Sequence, residues 1–255
     1  MTSLASRFIR RALAERGRQI RELPRPLIRH PERELRASFE HVVARRMFER
    51  GDKSFFFVQI GAFDGQTDDP IRPFVDRFAW RGLLVEPQER YFRALEASYS
   101  GYDGLRLRRV AIDERRRTRT MYKLADRPGL PDWAPRLATF DRETLVSHRN
   151  EIPDIDSLVI TEEVPCLPLS DLFDEEGIEQ IDLFCVDAEG YDAVILRMLD
   201  FSAIKPAIVR FEHEHLSAGE HAAVIQLLLD AGYNVALERY DTVAELADGA
   251  GAAPN

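Results

Sequence analysis

The sequence predicts an α/β protein whose core is a doubly wound, mostly parallel sheet. From Phe55 onward, short apolar runs alternate with segments whose apolar residues recur at helical spacing. Most of the runs are almost continuously apolar, which is typical of strands covered by helices on both faces. This alternation indicates parallel strands joined by right-handed crossovers, and 255 residues suffice for one sizeable domain of this kind.

The elements follow one another along the chain in a regular order. The predicted strands are 55–60, 82–86, 105–112, 181–187, 207–213 and 234–239. The predicted helices are 71–79, 89–99, 170–176, 191–199 and 217–231. The small and polar residues of ELADGAGAAPN then predict a frayed tail, so we expect a domain over 51–245 and a flexible tail over 246–255.

One region departs from this alternation. RTRTMYKL (117–124) is predicted to be an additional strand, and the Pro-rich stretch that follows it, 125–160, is long and irregular. Long loops inside compact domains are commonly lids or binding loops, or else disordered. We therefore expect an inserted lid or substrate loop over 125–160, with disorder as the alternative.

The N-terminus differs in charge from the rest of the chain. Residues 1–50 contain thirteen Arg and six Glu and carry a net charge of +7, which leaves −16 for the remainder. An acidic main domain argues against nucleic-acid binding. The Arg-rich extension predicts helices broken by LPRP (23–26), the second of them near 32–50. This extension is either a solvated helix packed loosely on the domain or a helix that docks on a partner or a membrane surface.

Composition excludes several other classes of protein. No apolar run approaches the length of a membrane span, and the N-terminus lacks the apolar core of a signal peptide, which favours a cytoplasmic protein. The two cysteines, Cys166 and Cys185, show no metal-binding spacing and indicate no disulfide framework. The sequence leaves an oligomer possible.

The stretch FFFVQIGAFDG ends a predicted strand in two glycines, Gly61 and Gly65. In open α/β sheets ligands bind beyond the carboxyl ends of the strands, and glycine lets a ligand approach the main chain. An ordinary strand-to-helix turn is the alternative. The loop lacks the GxGxxG pattern of dinucleotide sites, and its carboxylates Asp64, Asp68 and Asp69 would repel a pyrophosphate. They suit a cationic ligand, and S-adenosylmethionine, which carries a sulfonium and an ammonium group, is such a ligand.

Glu86 ends the next predicted strand and is followed by Pro87. A carboxylate at the same rim of a parallel sheet can accept two hydrogen bonds from the vicinal hydroxyls of a ribose. An ordinary exposed glutamate is the alternative. The sequence therefore predicts a nucleoside ligand whose sugar is held by Glu86.

Candidate catalytic groups follow two later strands. Asp187 and Glu189 lie in VDAEGYD, where either could be a base, a ligand for the amino group of the cofactor or a ligand for Mg²⁺ or Mn²⁺; Asp187 could instead cap the next helix. In FEHEHL, alternation places Glu212 and Glu214 on one face and His213 and His215 on the other. We take His213 or Glu212 as a further catalytic candidate, with solvated polar residues leading into the next helix as the alternative, and Asp187 with Glu212 as a possible metal pair. Side chains in or beside the insertion that could contact an acceptor are Tyr122, Trp133, Arg142 and His148.

Several segments taken together resemble the FkbM family of S-adenosylmethionine-dependent methyltransferases over about residues 52–240. They are VQIGAFDG, GLLVEP, RRVAID, PLSDLF, IDLFCVDAEGYDAVIL and AGY, in this order. The resemblance implies a Rossmann-like, seven-stranded methyltransferase sheet, with O-methylation of a sugar or natural-product hydroxyl as the activity. It also implies a methionine-side loop at 61–65, a ribose ligand at Glu86 and part of an adenine-binding wall at Ala111 and Ile112. The full set of cofactor-binding residues expected on these grounds is Gln59, Gly61, Ala62, Phe63, Asp64, Gly65, Glu86, Pro87, Ala111, Ile112 and Asp187.

The sequence thus predicts an S-adenosylmethionine-dependent O-methyltransferase that acts on a small-molecule or glycan acceptor. Two alternatives from other classes remain open at this point. One is a Rossmann-like interaction protein without catalysis, and the other is a metal-dependent hydrolase that uses the acidic pairs at the strand ends.

Overall fold

A computed structural model describes residues 38–50, 55–131 and 133–247 of the chain. Its strands are β1 (Phe56–Ile60), β2 (Arg81–Val85), β3 (Leu105–Arg108), β4 (Ala111–Ile112), β5 (Arg117–Leu124), β6 (Ala138–Thr139), β7 (Val159–Leu167), β8 (Leu183–Val186), β9 (Ile208–Glu212), β10 (Tyr233–Leu237) and β11 (Asp241–Leu246). Its α-helices are α1 (Phe39–Arg50), α2 (Arg72–Phe78), α3 (Glu89–Ser98), α4 (Arg142–Val146), α5 (Ile155–Leu158), α6 (Leu169–Glu176), α7 (Asp192–Met198) and α8 (Ala218–Asp230). A 3₁₀ helix spans Ser147–Asn150.

The main sheet has seven strands in the order β10-β11-β9-β8-β1-β2-β3. The strands from β9 to β3 are parallel to one another, and β11 runs antiparallel to both of its neighbours. This arrangement confirms the predicted α/β fold with a doubly wound, mostly parallel sheet of seven strands.

Apolar cores on both faces explain why the strands are almost continuously hydrophobic. Successive side chains of a strand point to opposite faces. In β1, Phe57 belongs to one core cluster and Val58 to the other, and both are fully buried. In β8, Leu183 and Phe184 divide in the same way. A strand covered by helices on both sides therefore needs no polar face.

A second, four-stranded sheet has the order β4-β7-β5-β6. The predicted strand 105–112 is therefore two strands in two sheets, since Leu105–Arg108 pairs with β2 and Ala111–Ile112 pairs with β7. The region predicted as an irregular lid or substrate loop contains β6, α4, the 3₁₀ helix and α5. It packs around its own apolar cluster, in which Leu145 and Ile155 are fully buried. We call residues 125–160 the insertion below.

Helix α1 packs into the domain rather than extending from it, which corrects the predicted boundary at residue 50. Phe39, Val43 and Met47 are buried in one of the two main cores. On the same helix, Arg45 and Arg46 form ion pairs with Glu245 of β11. The Arg-rich segment before this helix, with its predicted docking role, lies in residues 1–37, outside the described residues.

The flexible tail predicted over 246–255 begins one residue too early, because Leu246 is still part of a strand. Strand β11 includes Glu245 and Leu246 and inserts between β9 and β10, where Val243 and Ala244 are buried. The rest of the predicted tail, 248–255, lies outside the described residues. In the part of the chain that the structure describes, no helix is long and apolar enough to cross a lipid bilayer.

Candidate active site

The strand order places a crevice at one edge of the main sheet. From β1 the chain continues to β2 on one side, whereas β8 lies on the other, so the order reverses between β1 and β8. Ligands of open α/β sheets bind beyond the carboxyl ends of the strands at such a point. A cavity of about 660 Å³ lies there, lined by the ends of β1, β2, β8 and β9 and by the insertion.

The presence of glycine at position 61 has a structural reason that does not involve a ligand. Its backbone has a φ of +82°, and a Cβ at this position would lie 1.7 Å from the main-chain oxygen of Asp187. The ends of β1 and β8 therefore approach so closely that only glycine fits at this point. Gly61 lines the cavity, but the sheet itself requires a residue without a Cβ at this position.

Asp64 and Gly65, both predicted to bind the cofactor, do not line the cavity in the structure. The Asp64 carboxylate accepts hydrogen bonds from the main-chain N–H groups of Gln66 (2.9 Å) and Thr67 (2.8 Å) and thus closes a turn. These bonds and the Thr67 hydroxyl hold its pKa below the usual value, although burial opposes them. Gly65 packs against Leu95 of α3 and against Tyr99, which follows that helix, and the two side chains leave no room for a Cβ. Asp64 therefore orders the loop itself and does not cap the next helix, which begins at Arg72.

Gln59 and Asp69 form a polar pair in the wall of the cavity. The Gln59 side-chain N–H donates to the Asp69 carboxylate at 3.3 Å. Only 4% of Gln59 is exposed, and its buried Oε1 atom has no hydrogen-bond partner among the described residues. Because buried polar atoms are rarely left unpaired, this oxygen indicates that a donor from a ligand belongs beside it.

Glu86 is buried at the carboxyl end of β2 and faces the cavity. Its two carboxylate oxygens accept the main-chain N–H groups of Phe63 (3.0 Å) and Gln88 (2.8 Å), so the carboxylate ties the loop after β1 to the start of α3. Burial raises the pKa of Glu86 to about 7, and the two N–H donors oppose this rise. Each carboxylate oxygen keeps a further lone pair for a ligand hydroxyl.

The other predicted cofactor-binding residues also reach the cavity. Those that line it are Ala62, Phe63, Pro87, Ala111 and Ile112. The Phe63 ring lies 4.1 Å from that of Tyr91 and 5.7 Å from the guanidinium of Arg136, which comes from the insertion. Phe63 therefore joins the loop after β1 to the neighbouring elements while one side of it faces the cavity.

Asp187 follows β8 and projects into the cavity. Its side chain is exposed to cavity solvent, yet enough protein surrounds it that burial, followed by repulsion from Glu189, raises its pKa to about 7. The predicted helix-capping alternative does not apply to it, because the N-cap residue of α7 is Tyr191, whose side chain makes no capping hydrogen bond. The carboxylate that closes the turn before α7 is that of Asp192. The Asp192 carboxylate is fully buried and accepts the main-chain N–H groups of Ala188 and Gly190, each at 3.3 Å.

Glu189 and His215 form a direct contact between a carboxylate and an imidazole in the cavity. Glu189 Oε2 lies 3.2 Å from His215 Nε2, and this carboxylate raises the pKa of His215. Glu189 has a left-handed backbone (φ +49°) and is followed by Gly190 (φ +94°), whose Cα approaches His215 so closely that a Cβ would touch it at 3.4 Å. The turn after β8 therefore holds the carboxylate against the imidazole.

Glu212 completes this cluster. Its Oε2 atom lies 3.9 Å from His215 Nε2, and burial together with repulsion from Asp187 and Glu189 raises the pKa of Glu212 to about 10. One atom each of Glu189, Glu212 and His215 lies within 4.8 Å of the others, a spacing that a divalent metal ion could bridge. Asp187, predicted as the metal partner of Glu212, is not a member of this trio.

His213 does not reach the cavity. Its Nδ1 atom lies 3.0 Å from the Thr242 hydroxyl, and its ring stacks on His221 at 4.4 Å. The alternation used in the prediction ends at Glu212, where β9 stops, and the following turn brings Glu214 and His215 to the cavity together. The histidine near the predicted catalytic residues is therefore His215.

Some residues that line the cavity were not predicted from the sequence, or were only weakly indicated by it. Arg210 lines the cavity and forms an ion pair with Asp241 at 2.7 Å. Its position inside the apolar run AIVRF could have indicated from the sequence that this arginine has a role in a site. From the insertion, Trp133 and His148 line the cavity with their rings 4.8 Å apart. Tyr122 and Arg142, also considered from the sequence, are not part of its lining.

Comparison with known proteins bears on this site. A family model described as the methyltransferase FkbM domain matches residues 59–235, a range that contains the ends of β1, β2, β8 and β9. Among solved structures, the methyltransferase FkbM from Methylobacillus flagellatus KT is similar with a TM-score of 0.46 and 13% identity. The alignment covers 76% of this chain and 44% of that one, so this chain spans less than half of that protein's length.

Two further structures show a likeness of the same order. The ribosomal protein L11 methylase from Lactobacillus delbrueckii subsp. bulgaricus has a TM-score of 0.40 at 10% identity, with 82% of this chain and 79% of that chain covered. The precorrin-6y C5,15-methyltransferase from Geobacter metallireducens GS-15 has a TM-score of 0.40 at 11% identity, with 83% and 91% covered. No curated protein matches the sequence.

Proposed function

Because the chain belongs to the FkbM methyltransferase family, we propose that it transfers the methyl group of S-adenosylmethionine to a hydroxyl group of a sugar, glycan or natural-product intermediate. The observation that carries the cofactor assignment is the buried carboxylate of Glu86, which faces the cavity beside the loop that follows β1. The acceptor class follows from the family resemblance.

The residues at the ends of β1 and β2 fit the cofactor. Glu86 is placed to accept hydrogen bonds from ribose hydroxyls, and the unpaired Gln59 oxygen is placed to accept a further donor. Ala111 and Ile112 supply an apolar wall for the adenine. When bound, S-adenosylmethionine supplies a methyl group on a sulfonium, which is already a good leaving group.

The charge of the cavity supports a cationic ligand over a pyrophosphate. Nine carboxylates and two arginines of the described residues line it. Asp187 lies between the glycine loop and the Glu189 cluster, where its carboxylate can attract an ammonium or sulfonium group.

The acceptor side of the cavity offers a base. A sugar hydroxyl has a pKa far above neutrality, so its proton must be removed as the new bond forms. The Glu189 carboxylate and the His215 imidazole, held together at 3.2 Å, are the groups that we assign to this proton transfer. Trp133 and His148 of the insertion line the cavity beside them, with the His148 ring 6.2 Å from that of His215, and can shield this proton transfer from water.

Calorimetric titration with S-adenosylhomocysteine tests the cofactor assignment. We expect the wild-type protein to bind it and Glu86→Ala to weaken binding at least tenfold, the loss expected when charge-assisted hydrogen bonds to the ribose disappear. Glu96→Ala is the matched control, since Glu96 is an exposed glutamate of α3 that lies outside the cavity. A wild-type protein that binds neither S-adenosylhomocysteine nor S-adenosylmethionine at submillimolar concentrations would instead support an interaction protein with a Rossmann-like fold.

Transfer itself is tested with radiolabelled S-adenosylmethionine and glycan fractions, followed by mass spectrometry for a gain of one methyl group. Glu189→Gln should leave S-adenosylhomocysteine binding intact and lower the turnover rate by about 10²-fold or more, the usual range for loss of a general base. A normal turnover rate in this variant would remove Glu189 from the proposed mechanism.

A further inference from the structure

The loop between β1 and α2 contains two residues in a conformation that side chains rarely adopt. Phe63 has a φ of +47° and Asp68 a φ of +54°. The only other left-handed residues besides glycine within the described ranges are Ala79 and Glu189. Left-handed backbone at such residues is unfavourable and persists where surrounding contacts hold it.

One side chain of the insertion touches both of these residues. The guanidinium of Arg136 donates to the Asp68 carboxylate at 2.6 Å and lies 5.7 Å from the centre of the Phe63 ring. It therefore spans the two strained positions, which lie at either end of the acidic part of the loop.

Arg136 is well placed to resist movement of this loop. It lies in a turn in which its own main-chain N–H donates to the main-chain oxygen of Trp133. Its neighbours Ala134 and Leu137 are buried in the core of the insertion. Its side chain is 30% exposed, so most of it packs against protein in addition to forming the ion pair. The insertion thus reaches the loop through an anchored arginine.

We infer that Arg136 is a positioning residue for the cofactor: it holds the loop at 61–70 in the conformation that binds S-adenosylmethionine. The inference rests on the proposed function and adds a role for the insertion on the cofactor side. When only part of a population has the binding-competent loop, the apparent dissociation constant rises in proportion. Without Arg136, the strained loop relaxes and fewer molecules are ready to bind.

The test combines calorimetry with hydrogen exchange on the full-length protein. We expect Arg136→Gln to weaken S-adenosylhomocysteine binding about tenfold and to speed amide exchange in the peptide covering 61–70 before any ligand is added. Asp68→Asn keeps a residue that tolerates left-handed backbone and removes an exposed ion pair together with one carboxylate of the cavity lining, so it should weaken binding about threefold or less.

Arg142→Gln is the matched control, because Arg142 forms a comparable pair with Asp156 (2.8 Å) inside the insertion and does not touch the loop. It should change neither measurement. Unchanged binding and exchange in Arg136→Gln would overturn the inference. Weaker binding with unchanged exchange would also overturn it, since Arg136 would then act on the cofactor directly.

The exchange measurement separates this inference from the proposed function. If the wild-type protein failed to bind S-adenosylhomocysteine, the proposed function and the cofactor role of Arg136 would both fall. Faster exchange at 61–70 in Arg136→Gln would then still show that this residue orders the loop. Should Arg136→Gln fold poorly, Arg136→Lys gives the comparison, since it keeps the charge beside Asp68 but lacks the planar guanidinium near the Phe63 ring. Unchanged exchange at 61–70 in that variant would overturn the inference.

Discussion

Gly61 illustrates how a motif that suggests a ligand can be required by the protein's own main chain. Gly61→Ala should strongly destabilise the protein, by several kcal/mol, because the new Cβ would overlap the Asp187 oxygen and the φ of +82° is unfavourable for alanine. Urea-induced unfolding measures the change.

Gly101→Ala is its control. Gly101 has a similar φ of +91°, but nothing lies within 4 Å of a Cβ there, so only the backbone cost of about 1–2 kcal/mol is expected. Equal losses of stability in the two variants would show that the close approach of β1 and β8 does not determine the residue at 61.

Glu86 should make the stability of the free protein depend on pH. Its pKa is raised from 4.5 to about 7 in the folded state, so the folded protein holds this proton more tightly than the unfolded chain does. Stability therefore falls as the pH rises from about 4.5 to about 7, and the contribution is on the order of 2–3 kcal/mol. Glu86→Gln should reduce this fall, which thermal unfolding at several pH values would detect; identical pH dependence would contradict it.

The limits of prediction are visible at Asp64 and His215. The sequence places Asp64 in the right loop, but only the hydrogen bonds to Gln66 and Thr67 show that it closes a turn. Strand alternation places His213 and His215 on the same face, so it could not separate them. Because β9 ends at Glu212, the turn that follows directs His213 toward Thr242 and brings His215 to the cavity. The location of a residue at the end of a strand could be predicted, whereas the direction of a side chain in the turn that follows could not.

Helix α1 carries two phenylalanines that test whether it belongs to the domain. Phe39 is buried against Phe74 and under Arg210, whereas Phe48 is 87% exposed. Phe39→Ala should cost about 3–5 kcal/mol of the free energy of unfolding, the range for removing a buried aromatic ring. Phe48→Ala should change it by less than about 0.5 kcal/mol. Similar small effects would mean that α1 is a loosely attached extension, as the sequence predicted.

Most elements could be predicted because their pattern is local. The parallel strands are continuous apolar runs, and α8 has a capping box in which Ser217 and Glu220 bond to each other's main chain. Strand β11 was missed because its sequence, DTVAEL, places a charged Glu245 in what proves to be a buried position. Its partners, Arg45 and Arg46, lie some 200 residues earlier, and no local pattern reveals such a pairing.

The acidic cavity should discriminate between ligands by charge. S-adenosylmethionine carries one more positive charge than S-adenosylhomocysteine but is otherwise nearly the same shape. Glu86 and Asp187 each have a pKa of about 7, so both become ionised as the pH rises from about 6 to about 8. The ratio of the affinities for the two ligands should therefore shift by several-fold in favour of S-adenosylmethionine over this range.

Comparing the two ligands removes effects of pH that act on both equally. Calorimetric titrations of each at three pH values supply the ratio. Asp187→Asn should flatten its pH dependence, because one of the two ionising carboxylates is lost. A ratio that stays constant in the wild-type protein would show that neither carboxylate lies near the sulfonium.

The position of β11 has a consequence for how the chain assembles. β10 is synthesised first, yet within the described chain its strand partner in the main sheet is β11, which also pairs with β9. During translation, β10 therefore has no strand partner, and β9 is the edge of an incomplete sheet, until the residues of β11 have left the ribosome. Nascent chains stalled before Asp241 should expose that edge to chaperones and proteases, whereas those released past Ala247 should resist digestion.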